Sequence, residues 1–220
     1  GFGIGSLLTP ALALLVGARL AVAAVSIPHL VGSALRLWIL RRHVDRRVLL
    51  GFGLASAAGG LAGAVLQSGL PPRGLAILFG AVVAAAGISE LSGWVAHRRW
   101  SRSAAWAAGV LSGLLGGLVG NQGGIRAAAL LGFDVPKESF VATATAVALF
   151  VDAARVPIYL AGVGPQLGTL WPVIVVLTAG VVVGTLGGTT VLGRLPERAF
   201  RRVLGVLLIA LGVFMALAGG

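Results

Sequence analysis

The sequence predicts an all-α, polytopic membrane protein, and three observations carry that prediction. Apolar runs near the roughly 20 residues that a helix needs to cross a 30 Å hydrocarbon core recur along the chain. Only 10% of the 220 residues are charged against 58% hydrophobic, with a mean hydropathy of +1.02, far from the usual globular mixture of about 25% charged residues. The basic residues cluster at the ends of the runs rather than spreading over a solvated face.

Five runs read as spans: Leu20 to Leu40, Val48 to Gln67, Gly74 to Ala96, Ser139 to Ala161 and Leu170 to Leu192. A sixth, from about Phe200 to Ala218, has Arg201 and Arg202 at its mouth. Two shorter apolar runs, Gly5 to Val16 and Gly123 to Phe133, cannot cross alone, and each follows glycine-rich sequence: Gly1-Phe2-Gly3-Ile4-Gly5 and Gly116-Gly117-Leu118-Val119-Gly120-Asn121-Gln122-Gly123-Gly124. A helix from Ala104 to Gly120 leads into the second break and returns as the short run, making a re-entrant hairpin. Irregular backbone at membrane depth is tolerated where protein buries it or where it lines a cavity, so the breaks are site candidates.

The chain reads as two copies of one unit. Sliding Gly1 onto Gly120 also superposes Gly5 on Gly124, Leu30 on Leu149, Ala34 on Ala153, Arg36 on Arg155 and Ile39 on Ile158. After an insertion near Gly164, Gly59, Leu70, Pro71, Arg73 and Gly80 fall on Gly184, Leu195, Pro196, Arg198 and Gly205. Residues 1–103 are then a first repeat and 104–220 a second, together one transmembrane domain. An arm equivalent to Ala104 to Val119 is expected ahead of residue 1, a further 15 or so residues.

Charge sets the orientation. Placing Arg41, Arg42, Arg46, Arg47, Arg98, Arg99, Arg102, Lys137, Arg194, Arg198, Arg201 and Arg202 on the cytoplasmic side leaves Arg19 and Arg73 outside, with Arg36, Arg126 and Arg155 at membrane depth. The two hairpins must then open on opposite faces. That is an inverted-topology repeat, each copy a broken-helix hairpin plus three transmembrane helices, an architecture associated with secondary transport. The net charge of +11 is accounted for by this topology without nucleic acid.

Ala55, Gly59 and Gly63, with their mates Gly180, Gly184 and Gly188, form small-residue stripes, and Gly109, Gly113 and Gly117 form a third. Such stripes let helix backbones approach closely. Polar residues form stripes too. Ser26, His29, Ser33 and Arg36 share one helical face, and Thr145, Asp152 and Arg155 occupy matching positions in the second copy. Polar groups are expensive against lipid, so the two stripes should face each other centrally.

Arg36 and Arg155 read either as planar guanidinium donors for an oxyanion or as snorkelling residues near helix ends, Asp152 and Arg155 neutralising each other at i and i+3. Arg126 opens the return helix after Asn121, Gln122, Gly123 and Gly124, where free N–H groups attract anions; a helix cap is the plainer reading. Gly3, Gly5 and Ser6 hold the corresponding place in the first break. His29, with Asp152, is the candidate for proton coupling, packing being the alternative.

Enzyme chemistry finds no footing. The chain has no cysteine, hence no disulfide framework or thiolate metal site, and neither a Walker phosphate loop nor an arguable nucleophile triad. No cofactor, no metal and no nucleic-acid partner is expected.

The glycine-rich segment before a short apolar helix, Gly1-Phe2-Gly3-Ile4-Gly5-Ser6-Leu7-Leu8-Thr9-Pro10, and its second appearance from Gly113 to Gly124, resemble the TauE/SafE family of sulfite-exporter-like permeases. The resemblance implies a multi-pass transporter of the inner membrane of a bacterium or archaeon, moving sulfite, sulfonates or related sulfur oxyanions such as sulfoacetate. It also implies a substrate site at the glycines near Gly3 and Gly124, with Ser26, Thr143 or Thr145 as hydroxyl donors in the next helix. Asn121-Gln122 and Ile125-Arg126 depart from the family's all-small run. The expected mechanism is secondary transport, with Arg126, Asn121 and Gln122 holding the anion and Arg36 and Arg155 attracting or gating it. A passive channel and a non-transporting scaffold are the alternatives; membrane lipid is the surrounding partner, and a homodimer is left open.

Overall fold

The computed structural model describes residues 4–92, 102–120, 123–131, 133, 136–192 and 197–218, and among them the regular structure is entirely helical. The helices are α1 (Thr9–Val16), α2 (Ala18–Leu40), the single turn α3 (Arg46–Val48), α4 (Leu54–Gly69), α5 (Pro72–Ser92), α6 (Arg102–Val119), α7 (Gly123–Leu131), α8 (Lys137–Thr169), α9 (Trp171–Leu192) and α10 (Glu197–Ala218). Two π-helical turns, Ile4–Leu8 and Leu49–Gly53, lead into α1 and α4.

Four stretches among the described residues are long and apolar enough to span a bilayer: Ala18–His43, Arg46–Gly69, Pro72–Ser89 and Glu138–Thr169. The corresponding apolar parts of α9 and α10, Trp171–Gly187 and Arg202–Leu217, are shorter. The outward surface is what lipid requires, with Leu15, Leu50, Val176, Val183, Leu186 and Leu217 all exposed. Exposed Trp38 and Trp171 stand at helix ends, the level at which amphipathic rings favour the membrane interface. Beside Trp38, Arg41 lies 4.3 Å from the ring and donates to the Trp38 carbonyl at 2.6 Å.

Three helix pairs dominate the packing: α5 with α10, α4 with α6, and α2 with α8. Beyond them, α4 also packs on α8 and α2 on α9. Glycine makes the first two pairs possible. A Cβ on Gly59 or Gly63 would collide with α6 backbone, and one on Gly113 or Gly117 with the carbonyls of Ser56 or Gly60. Between α5 and α10 the contacts are reciprocal: Gly80 meets the Gly212 carbonyl and Gly212 that of Gly80, while Gly87 and Gly205 face each other in the same way. In the absence of a hydrophobic drive between helices in lipid, such close approach supplies the packing energy.

Two expectations differ from what is found. Gly180 and Gly184 have the spacing of the packed stripe on α4, yet a Cβ at either, or at Gly187, would meet nothing within 4 Å among the described residues; Gly188 has no described side-chain environment. The segment from Gly162 to Thr169 was expected to lie outside the span, but α8 resumes there after a break at Val163 (φ −132°, ψ 19°). Pro165 explains the break. Its ring disfavours helical geometry in the residue before it while accepting the first turn of a new helix.

Candidate functional site

The two glycine breaks meet inside the protein. A Cβ on Gly5 would lie 2.6 Å from the Gly120 carbonyl oxygen, and Thr9 closes over Gly120 at 3.5 Å. Gly120 has φ 73°, the left-handed region where glycine carries no Cβ penalty. That residue ends α6 and turns the chain back towards α7.

A helix end leaves four carbonyls without intrahelical donors, and here α6 ends inside the protein. Its carbonyls are met one by one. Gly120 N–H and an Arg155 Nη1–H donate to Gly116, the Tyr159 hydroxyl to Gly117, and Gln67 Nε2 to Leu118 at 2.8 Å. Arg155, only 2% exposed, also donates through Nε and Nη2 to Asp152 Oδ1, at 3.0 and 2.8 Å. A cation at a helix C-terminus is favourable through the dipole as well.

The other Asp152 oxygen, Oδ2, lies 2.6 Å from His29 Nδ1. An ionised carboxylate only accepts, so Nδ1 carries the proton and Nε2 is the remaining ring nitrogen. His29, Asp152, Arg155 and the Gly116 carbonyl form one buried chain from α2 through α8 to the α6 terminus.

Beside this chain lies a cavity of about 140 Å³, walled by His29, Ser33 and Arg36 of α2, Gly123, Arg126 and Ala127 of α7, and Phe140, Val141, Ala144, Thr145 and Ala148 of α8. Arg126 is 5% exposed, and its Nη1 is buried without a hydrogen-bond partner among the described residues. A buried charged donor left unmet costs several kcal/mol in general, whereas an oxygen-bearing anion in the cavity would meet it. Gly123 places the N-terminus of α7 at the same wall, and its positive dipole end adds to the attraction. Taking about 30 Å³ per water, the volume holds four or five heavy atoms.

The structure divides the sequence candidates. It brings Arg126, Gly123, Arg36, Thr145 and His29 to one wall. Asp152 and Arg155 are adjacent to it but engaged with each other, with His29 and with the α6 terminus. Ser26 donates to the Ala23 carbonyl at 2.6 Å, and Thr143 accepts from the Asp45 N–H at 2.9 Å, so neither lines the cavity. Gly5 and buried Ser6 belong to the first break, close to Gly120 and His29. Gly124 lies in α7, while Gly3, Asn121 and Gln122 fall outside the described residues. Phe140 and Ala148 in the wall, and Tyr159 and Gln67 at the α6 terminus, were not singled out by sequence. The signal for Tyr159 was its i+4 spacing from Arg155.

A second cavity, about 590 Å³, opens at the other end of α2 between Gly17, Arg19, Leu75, Val163, Gln166 and Met215. Arg19 is engaged there, donating through Nη2 to the Gln67, Ser68 and Leu70 carbonyls at the end of α4.

No curated protein and no solved structure matches the chain. A family model does, that described as sulfite exporter TauE/SafE, over residues 1–215. The chain, an integral membrane protein whose two glycine breaks flank a cationic cavity, therefore belongs to the TauE/SafE sulfite exporter family of membrane transporters.

Proposed function

We propose that the protein is a secondary transporter of small sulfur oxyanions, such as sulfite, a short sulfonate or sulfoacetate, across the inner membrane of a bacterium or archaeon. Binding takes place in the cavity between α2, α7 and α8. The observation that carries this reading is Arg126: a guanidinium buried in a small cavity, its Nη1 without a partner among the described residues, on the first turn of a helix whose N-terminus reaches the same wall.

The substrate oxygens would take Arg126 Nη1–H and free N–H groups of α7, with Thr145 and Ser33 as hydroxyl donors and Arg36 as a second cation. Phe140, Val141, Ala144 and Ala148 would exclude water and strengthen each of these interactions. His29, held by Asp152 through Nδ1, would carry the proton of a coupled cycle on Nε2. Arg155 and Tyr159 hold the α6 break in place rather than touching the anion.

Alternating access then requires the two glycine breaks to move relative to each other. Support for two inverted copies comes from the α5–α10 contact. The repeat register pairs Gly80 with Gly205 and Gly87 with Gly212, and the reciprocal contacts of Gly80 with Gly212 and of Gly87 with Gly205 are those a two-fold exchange of the copies requires. The test is uptake of labelled sulfite into proteoliposomes. Wild type should give saturable uptake and Arg126→Gln none, with both proteins eluting as folded species; full uptake by Arg126→Gln would remove the cavity from the transport path.

A further inference from the structure

We infer that the cavity is selective for divalent over monovalent oxyanions, with Arg36 supplying the second charge; this rests on the reading of the cavity as the substrate site. The argument is one of charge compensation. Around the cavity stand three guanidinium groups, Arg36, Arg126 and Arg155, and one carboxylate, Asp152. The carboxylate is spoken for: Oδ1 accepts from Arg155 Nε and Nη2, and Oδ2 lies 2.6 Å from His29 Nδ1. Arg36 and Arg126 therefore face the cavity with no acidic partner among the described residues.

Opposite charge does not come from the other elements packed on the site. From α8 the facing groups are Asp152, Arg155 and Tyr159, from the α6 terminus carbonyls, and from the turn after α2 the cations Arg41 and Arg42. Asp45, the acidic residue of that turn, is used as an N-cap, accepting from the Arg47 and Val48 N–H groups at 2.9 and 3.0 Å.

Two uncompensated cations in a low-dielectric site repel each other, and the arrangement becomes neutral only when the guest brings two negative charges. A monoanion of the same shape leaves one cation unpaired. The volume of about 140 Å³ adds a size limit: a tetrahedral oxyanion of five heavy atoms fits, whereas an aromatic sulfonate does not. The class is a compact dianion, with sulfite in its dianionic form, thiosulfate and sulfate as members. Methanesulfonate, near in shape but singly charged, is the discriminating competitor.

The experiment is isothermal titration of the detergent-purified chain with sodium sulfate, thiosulfate and methanesulfonate at constant ionic strength, for wild type, Arg36→Gln, Arg36→Lys and Arg126→Gln. The expected result is at least tenfold tighter binding of the two dianions by wild type. Arg36→Gln should bring that ratio close to one, Arg36→Lys should retain it, and Arg126→Gln should lose binding of every anion. Methanesulfonate binding as tightly as sulfate in wild type, still lost in Arg126→Gln, would overturn charge selection while leaving the site standing. An unchanged ratio in Arg36→Gln would remove Arg36 as its source. No binding of any anion would overturn the substrate site and this inference with it.

Discussion

Asp152 is the residue whose removal should cost the fold most for its size. Its two oxygens hold His29 and Arg155, and Arg155, 2% exposed, in turn donates to the Gly116 carbonyl at the α6 break. Asp152→Asn keeps the volume and removes the charge, leaving the Arg155 guanidinium buried without a counter-ion. Breaking a buried ion pair from one side costs about 3–5 kcal/mol. In Asp152→Asn/Arg155→Met the buried charge disappears as well, and what remains is the lost donor to Gly116, about 1–3 kcal/mol. The double variant should therefore be more stable than the single one by about 2 kcal/mol. Unfolding in mixed micelles of increasing SDS fraction, followed by helical circular dichroism, gives the comparison. A single variant within 1 kcal/mol of wild type, or a double variant less stable than the single, would refute the claim that Asp152 compensates Arg155.

Four further outcomes are expected. Gly113→Leu, whose Cβ alone already overlaps the Ser56 carbonyl, should lower stability by about 1–3 kcal/mol, while Gly184→Ala, with open space around it, should stay within about 0.5 kcal/mol; the same SDS titration reads both. Gly120→Ala should cost about 1–2 kcal/mol because of φ 73°, with Gly120→Asn milder, in the same assay. Tyr159→Phe should lose about 1 kcal/mol with the hydroxyl that Gly117 accepts, leaving anion affinity measured by titration calorimetry unchanged. Because the chain has no native cysteine, Arg46→Cys and Arg73→Cys can be labelled with an impermeant maleimide on intact cells and on inverted vesicles. They should react from opposite sides, Arg46→Cys from the cytoplasmic one, and labelling of both from one side would contradict the topology.

Helices and polar faces were legible in the sequence because both are periodic. Ser33, His29 and Arg36 were placed on one face by three- and four-residue spacing, and the cavity wall contains all three. Spacing gives a face but not a partner. It could not show that Ser26 turns back to its own helix, that Asp152 joins His29 to Arg155, or that Arg155 reaches the α6 carbonyls. Arg126 stood out because a short helix after a glycine break marks free N–H groups, whereas Phe140 and Ala148 look like ordinary lipid or core residues until the fold turns them to a cavity. The glycines of α4 and α9 show the same limit. Both stripes have the spacing for close packing, but only the one on α4 finds a backbone against it among the described residues.

The most direct test of the cavity as the anion site is calorimetric binding of sulfite to the purified protein, comparing wild type with Arg126→Gln and Ser26→Ala. Wild type and Ser26→Ala should bind saturably at one site with similar affinity, since the Ser26 hydroxyl is spent on Ala23, while Arg126→Gln should bind at least tenfold more weakly. Equal affinity in wild type and Arg126→Gln would place the anion elsewhere in the protein.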